Sequence, residues 1–186
     1  FQSLGNNLIG VPGDVSGIQN GVNGDQVGER RNPIDPLLGP LDDNGGSTPT
    51  HALLAGSPAI DRCNSTSLFP FDQRGSARVL DGNGDGALQV DIVAFEFSSF
   101  SVTSTVDSVD ADPNDGIGVD VDGRRTLRAA IQQANTTSGA DTITLAAGSY
   151  AFAIGGASEN LAASGDLDIT DALTIVGQGV SVTTID

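Results

Sequence analysis

The chain has 186 residues and a mass of 18.8 kDa, a length that allows one large domain or two small ones. Its 38% hydrophobic residues are enough for an ordinary core and exclude a chain that is disordered by composition. A formal net charge of −16, with eight Arg and no Lys, argues against nucleic acid as a partner, because phosphate binding needs clustered basic residues. No apolar run approaches the roughly 18 residues needed to span a bilayer.

Glycine is frequent, with 25 residues, while aromatic residues make up only 4% of the chain. This composition favours tight turns and thin β layers over a bulky core. The acidic residues are mainly Asp, which belongs in turns and metal loops rather than on helix surfaces. Two interpretations of the charge stay open at this point, a solvated surface and a calcium requirement.

The first half of the chain predicts short strands and turns. Residues 1–32 alternate short apolar pairs with Gly, Asn and Asp, which indicates β-strands separated by glycine turns. Three prolines then interrupt the pattern, so residues 33–46 are expected to form a surface excursion that ends in an Asn-Gly-Gly turn. Residues 51–60 fit a strand or a single helical turn, and alternation predicts strands over 87–97 and 99–106.

The second half predicts one helix followed by strands. Residues 126–135 place apolar side chains on one face, with Thr126 as N-cap and Ser138-Gly139 as a stop. A helix of about 15 Å is too short to stand alone in water, so it must lie against an apolar surface. After Asp141 come five short strand-like pieces, each closed by Gly or Asp, whose even spacing favours successive faces of a coil.

Two groups of motifs resemble bacterial secreted right-handed parallel β-helix surface proteins, whose N-terminal signature is Cys-Ser-Leu-Arg-Glu-Ala-Ile. Residues 123–150 (GRRTLRAAIQQANTTSGADTITLAAGSY) and 167–179 (LDITDALTIVGQG) resemble the opening region of these proteins. The motifs SLGNNLIG, GDQVG, NPIDPLLGPLDDNGG, THALLAGSPAID, FDQRGSAR, DGNGDG and DIVAFEF resemble their closing region. The closing region therefore precedes the opening region in this chain, and the long middle of such proteins is missing.

The resemblance implies an all-β fold, a right-handed parallel β-helix (β-solenoid) with one short capping α-helix at 126–135. It divides the chain into a closing segment, residues 1–97, and an opening segment, residues 98–186. In the family, a cysteine pair lies near the helix, whereas Gly118 and Arg125 occupy those places here. The capping helix would lack that staple, and calcium or subunit contacts are expected to substitute for it.

A calcium loop is predicted over residues 81–91, DGNGDGALQVD. The expected ligands are the side chains of Asp81, Asn83, Asp85 and Asp91 with the carbonyl of Ala87, and Gly86 permits the sharp turn. Position twelve is Ile92, so the loop is not an EF-hand, and an acidic glycine turn without metal is the alternative. A second acidic loop, residues 107–122, is either a solvated turn or a further cation site.

Other candidate chemistry is weaker. The triplets at 64–66 and 135–137 match the N-glycosylation pattern, which occurs often by chance. Cys63 and His51, the only cysteine and the only histidine, do not occur in a sequence pattern typical of a catalytic triad. Catalysis on polysaccharides is a remote alternative, because the chain has no Lys and few aromatic residues to form a sugar platform.

The sequence thus predicts a non-catalytic structural subunit of an extracellular or cell-surface fibre. Its open ends would join copies head to tail in a homopolymer, and Ca²⁺ would offset the charge of packed subunits. The alternative is an adhesin module that binds glycans or a cell surface.

Overall fold

The computed structural model describes residues 2–13, 16–64 and 69–186. These residues form nine short strands and one helix, which belong to two compact units. Unit 1 comprises Phe1–Asn83 and Leu88–Phe97, and unit 2 comprises Gly84–Ala87 and Ser98–Asp186. None of the helical structure within the described ranges has the length and apolar character needed to cross a membrane.

Unit 1 contains two small two-stranded sheets. Strand β1 (Leu8–Ile9) pairs in parallel with β2 (Gln26–Val27), and β3 (Leu38–Asp42) pairs antiparallel with β4 (Thr50–Leu53). The core consists of two phenylalanines and three aliphatic residues, with further apolar residues packed around them: Leu53, Ala59, Ile60, Phe95 and Phe97.

Unit 2 is built on two parallel sheets. Strands β5 (Ser99–Val102), β6 (Asp141–Leu145) and β8 (Leu173–Val176) form one sheet with β6 in the centre. Strand β7 (Gly148–Tyr150) pairs with β9 (Thr183–Ile185) in the other. Since β6 leads directly into β7, the segment that contains β8 and β9 lies alongside the segment that contains β6 and β7.

The predicted helix is confirmed as α1 (Leu127–Ala134). Thr126 is its N-cap, and the Thr126 hydroxyl accepts a hydrogen bond from the amide of Ala129, which satisfies one of the free donors of the first turn. The apolar face packs on the β5–β6 sheet, in a cluster with Phe100, Val102, Ile143 and Leu145. The helix therefore gains its stability from tertiary packing, as its length requires.

The β-solenoid prediction is wrong. A solenoid stacks equivalent coils into long continuous sheets, whereas the described residues form four separate sheets of two or three strands, and no solenoid or closed barrel is found among them. One sheet is an antiparallel hairpin, β3–β4, which successive coils of a parallel helix would not produce. The low helix content fits an all-β class only loosely.

Two local predictions also differ from the structure. The proline-rich stretch 33–46 includes β3 rather than only a surface excursion, because Pro40 lies in a two-stranded sheet where a missing N–H can face outward. Residues 87–97 form no strand, since side-chain carboxylates bind their amides: Glu96 accepts from the amide of Asp91, and Asp91 accepts from that of Phe97. Such local bonds compete with strand pairing.

Candidate functional site

The five predicted calcium ligands are divided between the two units. Asp81, Asn83 and Asp91 belong to unit 1, whereas Asp85 and Ala87 belong to unit 2. Asp81 and Asp91 are buried, and Asp85 is exposed, with one of its oxygens accepting from the amide of Ala87 at 2.7 Å. No group of three or more His, Cys, Asp and Glu side chains within the described ranges could hold a metal ion. The calcium site stays a prediction.

In unit 1, Asp61 connects Asp91 with the start of the predicted calcium loop, residues 81–91. The Asp61 amide donates to Oδ1 of Asp91 at 2.7 Å, and the Asp61 carboxylate accepts from the amides of Gly82 and Asn83 at 3.3 and 2.8 Å. Asp61 has a φ of +51°, an uncommon conformation that Asp tolerates better than most residues. The buried acid thus shapes the loop backbone, a role that the spacing of the loop acids did not reveal.

Two carboxyl groups lie together in the interior of unit 1. Asp91 and Glu96 are each 1% exposed, and the Asp91 amide donates to both oxygens of Glu96 at 3.2 and 3.3 Å. Burial raises the pKa of Asp91 to about 7, against the lowering effect of amide donors. Burial, and then the charge of Asp91, raises the pKa of Glu96 to about 9. The pair therefore keeps at least one proton at neutral pH, because burial disfavours the charged form of a carboxyl group.

A third buried acid, Asp72, organises the Asp-Gln-Arg-Gly turn of unit 1. Its carboxylate accepts from the amides of Arg74 and Ser76 and from the Nε of Arg74 at 2.8 Å. The same carboxylate accepts from the amide of Glu96 at 2.9 Å, and Arg74 donates to the Glu96 carbonyl at 2.6 Å. The Arg74 guanidinium also lies 3.7 Å from the centre of the Phe95 ring. These contacts fix the position of the segment that carries Glu96.

Unit 2 contains a buried ion pair. Arg128, on α1, donates from Nε to Oδ1 of Asp107 at 2.6 Å and from a terminal nitrogen to Oδ2 at 3.1 Å. Both side chains are almost completely buried, at 0% and 4% exposure. Burial alone would raise the pKa of Asp107, but the hydrogen bonds of Arg128 and of two amides outweigh it, and the pKa is lowered.

The remaining donors of Arg128 hold the loop between β7 and β8. They reach the carbonyls of Ala162 and Gly165, each at 2.9 Å. On the other side, Oδ2 of Asp107 accepts from the amides of Ala153 and Ile154 at 2.7 and 2.8 Å. The ion pair therefore connects the start of the second acidic loop, α1, and the beginning and middle of the long loop between β7 and β8.

The second acidic loop is partly buried. Asp110 and Asp120 are buried, whereas Asp112, Asp115 and Asp122 are exposed. Burial, and more weakly the charges of Asp115 and Asp112, raises the pKa of Asp110 to about 6. The solvated-turn interpretation therefore fits the exposed members of the loop alone, and cation binding there stays a prediction.

The glycosylation motifs differ in what the structure describes. Residues 65 and 66 lie outside the described ranges, so the first motif is not placed. In the second, the Asn135 amide donates to the carbonyl of Asp168 at 2.7 Å, and its oxygen accepts from the amide of Thr170 at 2.9 Å. The Asn135 side chain thus holds the segment that enters β8 and is not presented for modification.

Replacing Asn135 by alanine is expected to lower the free energy of unfolding of unit 2 by about 1 to 2 kcal/mol, because two hydrogen bonds to backbone groups are lost. Urea unfolding followed by the near-ultraviolet signal of Tyr150, the only tyrosine and a buried one, measures it. Asn114→Ala, at an exposed position of the same unit, is the control and should change the value by less than about 0.5 kcal/mol. Equal stability of the two variants would contradict the anchoring role.

The open edge of the unit 2 sheet is its most distinctive surface. The register aligns Phe100 on β5, Ile143 on β6 and Ile175 on β8 in one row. Phe100 and Ile143 are 5% and 0% exposed, whereas Ile175 is only partly buried, although it packs against the same core. No further strand within the described ranges pairs with the outer edge of β8 or of β9.

Apolar side chains are exposed along this edge. Among the last eighteen residues, five large apolar side chains are exposed, with exposed fractions from 45% to 98%: Ile169, Val176, Val180, Val182 and Ile185. Parallel sheets are normally covered on both faces, and an unpaired, apolar strand edge favours pairing with another chain. We call the outer edges of β8 and β9, together with these five side chains, the open edge.

No protein-family model, curated protein or solved structure matches the chain. The resemblance to β-helix surface proteins consequently stays a prediction from motifs.

Proposed function

We propose that the protein is a non-catalytic structural subunit that associates with copies of itself by strand addition at the open edge. The observation that carries the proposal is the difference between Ile143, which is fully buried between its neighbours, and Ile175, which has a neighbour on one side only. A strand from a second copy would give Ile175 the environment that Ile143 has. The proposal needs short parallel sheets alone and no solenoid.

The energetics support association. Burying a half-exposed valine or isoleucine side chain contributes roughly 1 kcal/mol, and five such side chains border the open edge. Strand addition also supplies hydrogen-bond partners for the backbone groups at the outer edge of β8, which water otherwise solvates. Successive residues of a strand direct their amides to opposite edges, so Leu173 and Ile175 differ from Thr174 in the edge that their amides face. Main-chain hydrogen bonds and apolar contacts then act together, as in other cases of β-strand addition.

The location and the calcium requirement rest on sequence motifs. A cell-surface or extracellular fibre is the setting that the motif resemblance suggests. Calcium bound by the loop at residues 81–91 would reduce the repulsion between subunits that each carry a charge of −16. A chelator during the association measurement tests this part separately from strand addition.

The substitution Val180→Glu tests the proposed function. Val180 is 98% exposed, so the change leaves the fold intact but places a charge on the open edge. We expect sedimentation velocity to show concentration-dependent oligomers for the unmodified protein and at least a tenfold weaker association for the variant. Val121→Glu is the matched control, because Val121 is 81% exposed in the same unit and lies in the acidic loop. Monomers at every concentration of the unmodified protein would overturn the proposal.

A further inference from the structure

Three arginines are exposed and make no hydrogen bond or ion pair with any residue in the described ranges: Arg30, Arg31 and Arg62. All three belong to unit 1. The other arginines are engaged; Arg124, for example, forms ion pairs with Asp120 and Asp122. The positive charge that is available to a partner is therefore restricted to unit 1.

Arg30 and Arg31 lie directly beside the parallel β1–β2 sheet. They occupy the tip of a tight turn in which Glu29 and Asn32 exchange backbone hydrogen bonds at 2.9 and 3.1 Å, two residues after β2 ends. The outer edge of β2 is partly occupied, since the Val27 amide donates to the Asn20 side chain at 3.0 Å. The outer edge of β1 pairs with no strand in the described part of the chain.

Exposed apolar side chains flank β1 on both sides. Leu4, before the strand, is 95% exposed, and Val11, after it, is 48% exposed. The surface of unit 1 around β1 thus combines an unpaired strand edge, apolar side chains and two free cations. We call this surface the basic edge.

The open edge of unit 2 has the opposite charge. No Lys, Arg or His follows Arg128 in the sequence, so every charged side chain from Ala129 to Asp186 is acidic. Asp171, two residues before β8, and Asp186, directly after β9, are both exposed. Their carboxylates accept from the Gly139 amide and the Ser149 hydroxyl, and no cation among the described residues pairs with them.

We propose that the open edge of one copy adds to the basic edge of a second copy, so that the two cations Arg30 and Arg31 approach the acidic surface to which Asp171 and Asp186 belong. This inference rests on the proposed self-association and names the surface that receives β8. Both strands come from parallel sheets, both edges are unpaired, both are bordered by apolar side chains, and their charges are complementary. Because the two surfaces differ, the contact is heterologous and propagates into a linear assembly instead of closing a dimer.

A charge exchange tests the pairing with two variants of the full chain. Variant A carries Arg30→Glu and Arg31→Glu, so both of its edges are acidic. Variant B carries Asp171→Arg and Asp186→Arg, so both of its edges are basic. Alone, each variant should associate at least about tenfold more weakly than the unmodified protein, because like charges face each other across the contact.

An equimolar mixture of A and B should restore association to within about threefold of the unmodified protein, since A and B then alternate with opposite charges at every contact. Sedimentation velocity measures the assemblies, and the Tyr150 near-ultraviolet signal confirms that each variant is folded. Arg62→Glu is the control and should associate normally, because Arg62 lies outside the basic edge.

The outcomes separate this inference from the proposed function. If A and B each associate like the unmodified protein while Val180→Glu prevents association, strand addition stands and the basic edge is not its acceptor. The same conclusion follows if the mixture is as weak as each variant alone. If the unmodified protein does not associate, the proposed function fails and this inference fails with it.

Discussion

Replacing Arg128 by methionine is expected to lower the free energy of unfolding of unit 2 by about 3 to 5 kcal/mol. The change keeps an unbranched side chain but leaves Asp107 buried without its counter-ion, and it removes the hydrogen bonds to the carbonyls of Ala162 and Gly165. An uncompensated buried charge is among the most destabilising defects that one substitution can cause. Urea unfolding followed by Tyr150 measures the effect.

Two controls isolate the buried ion pair. Arg124→Met breaks the pair with the buried Asp120, but the Arg124 side chain is 41% exposed, so water can take its place, and the amides of Asp122 and Arg124 still donate to the Asp120 carboxylate. The cost should be about 1 to 2 kcal/mol, smaller than that of Arg128→Met. Adding Asp107→Asn to Arg128→Met should recover part of the loss, because the unpaired charge is then removed. A cost below about 1 kcal/mol for Arg128→Met would contradict the central role assigned to Arg128.

Unit 1 is expected to lose stability as the pH rises from 5 to 9. The pKa of Glu96 is raised to about 9 in the folded protein, above its ordinary value of 4.5, and that of Asp91 is raised to about 7 from 3.8. The folded state therefore binds more protons than the unfolded state across this range. The stability that these bound protons contribute is fully present below the pKa values of Asp91 and Glu96 in the unfolded chain. It is lost as the pH rises through their pKa values in the folded protein.

The expected slope is about 1.4 kcal/mol per pH unit for each proton that the folded state retains. Hydrogen exchange of residues 88–97, measured by mass spectrometry with a chelator present, reports this unit separately from unit 2. Glu96→Gln keeps an oxygen for the Asp91 amide but cannot ionise, and it should stabilise unit 1 at pH 8 by about 2 kcal/mol or more. Protection that is constant or increases between pH 5 and pH 8 would show that the carboxyl pair is not strained.

Local patterns in the sequence predicted the helix and several strands. The spacing of apolar residues and the Thr126 cap defined α1 to within one residue at each end, because both signals operate within a few residues. Alternation over 99–106 and the pieces after Asp141 likewise contained β5, β6 and β8. These elements depend on nearby residues.

The solenoid and the strand at 87–97 were wrong for related reasons. The even spacing of short strands indicates their length and separation, but it does not determine how many strands pair in one sheet. In unit 2 the sheet ends after three strands, with β6 between β5 and β8. At 87–97 the alternation came from Asp91 and Glu96, whose side chains bind backbone amides in place of a neighbouring strand.

The main polar interactions depend on residues distant in sequence. Arg128 pairs with Asp107, 21 residues earlier, and with a carbonyl 37 residues later, at Gly165. Asp72 similarly binds the amide of Glu96, 24 residues away. The sequence shows Arg128 within an amphipathic helix and Asp72 in an Asp-Gln-Arg-Gly turn. The partners of these two side chains could be identified only from the fold.

The most direct test of self-association by strand addition is amide hydrogen exchange of Leu173–Val176 and Thr183–Ile185 at increasing protein concentration. Strand addition predicts that amides in β8 and β9 become more protected as the concentration rises, while amides around Val121 exchange at a constant rate. Exchange in β8 and β9 that does not depend on concentration would contradict association at the open edge.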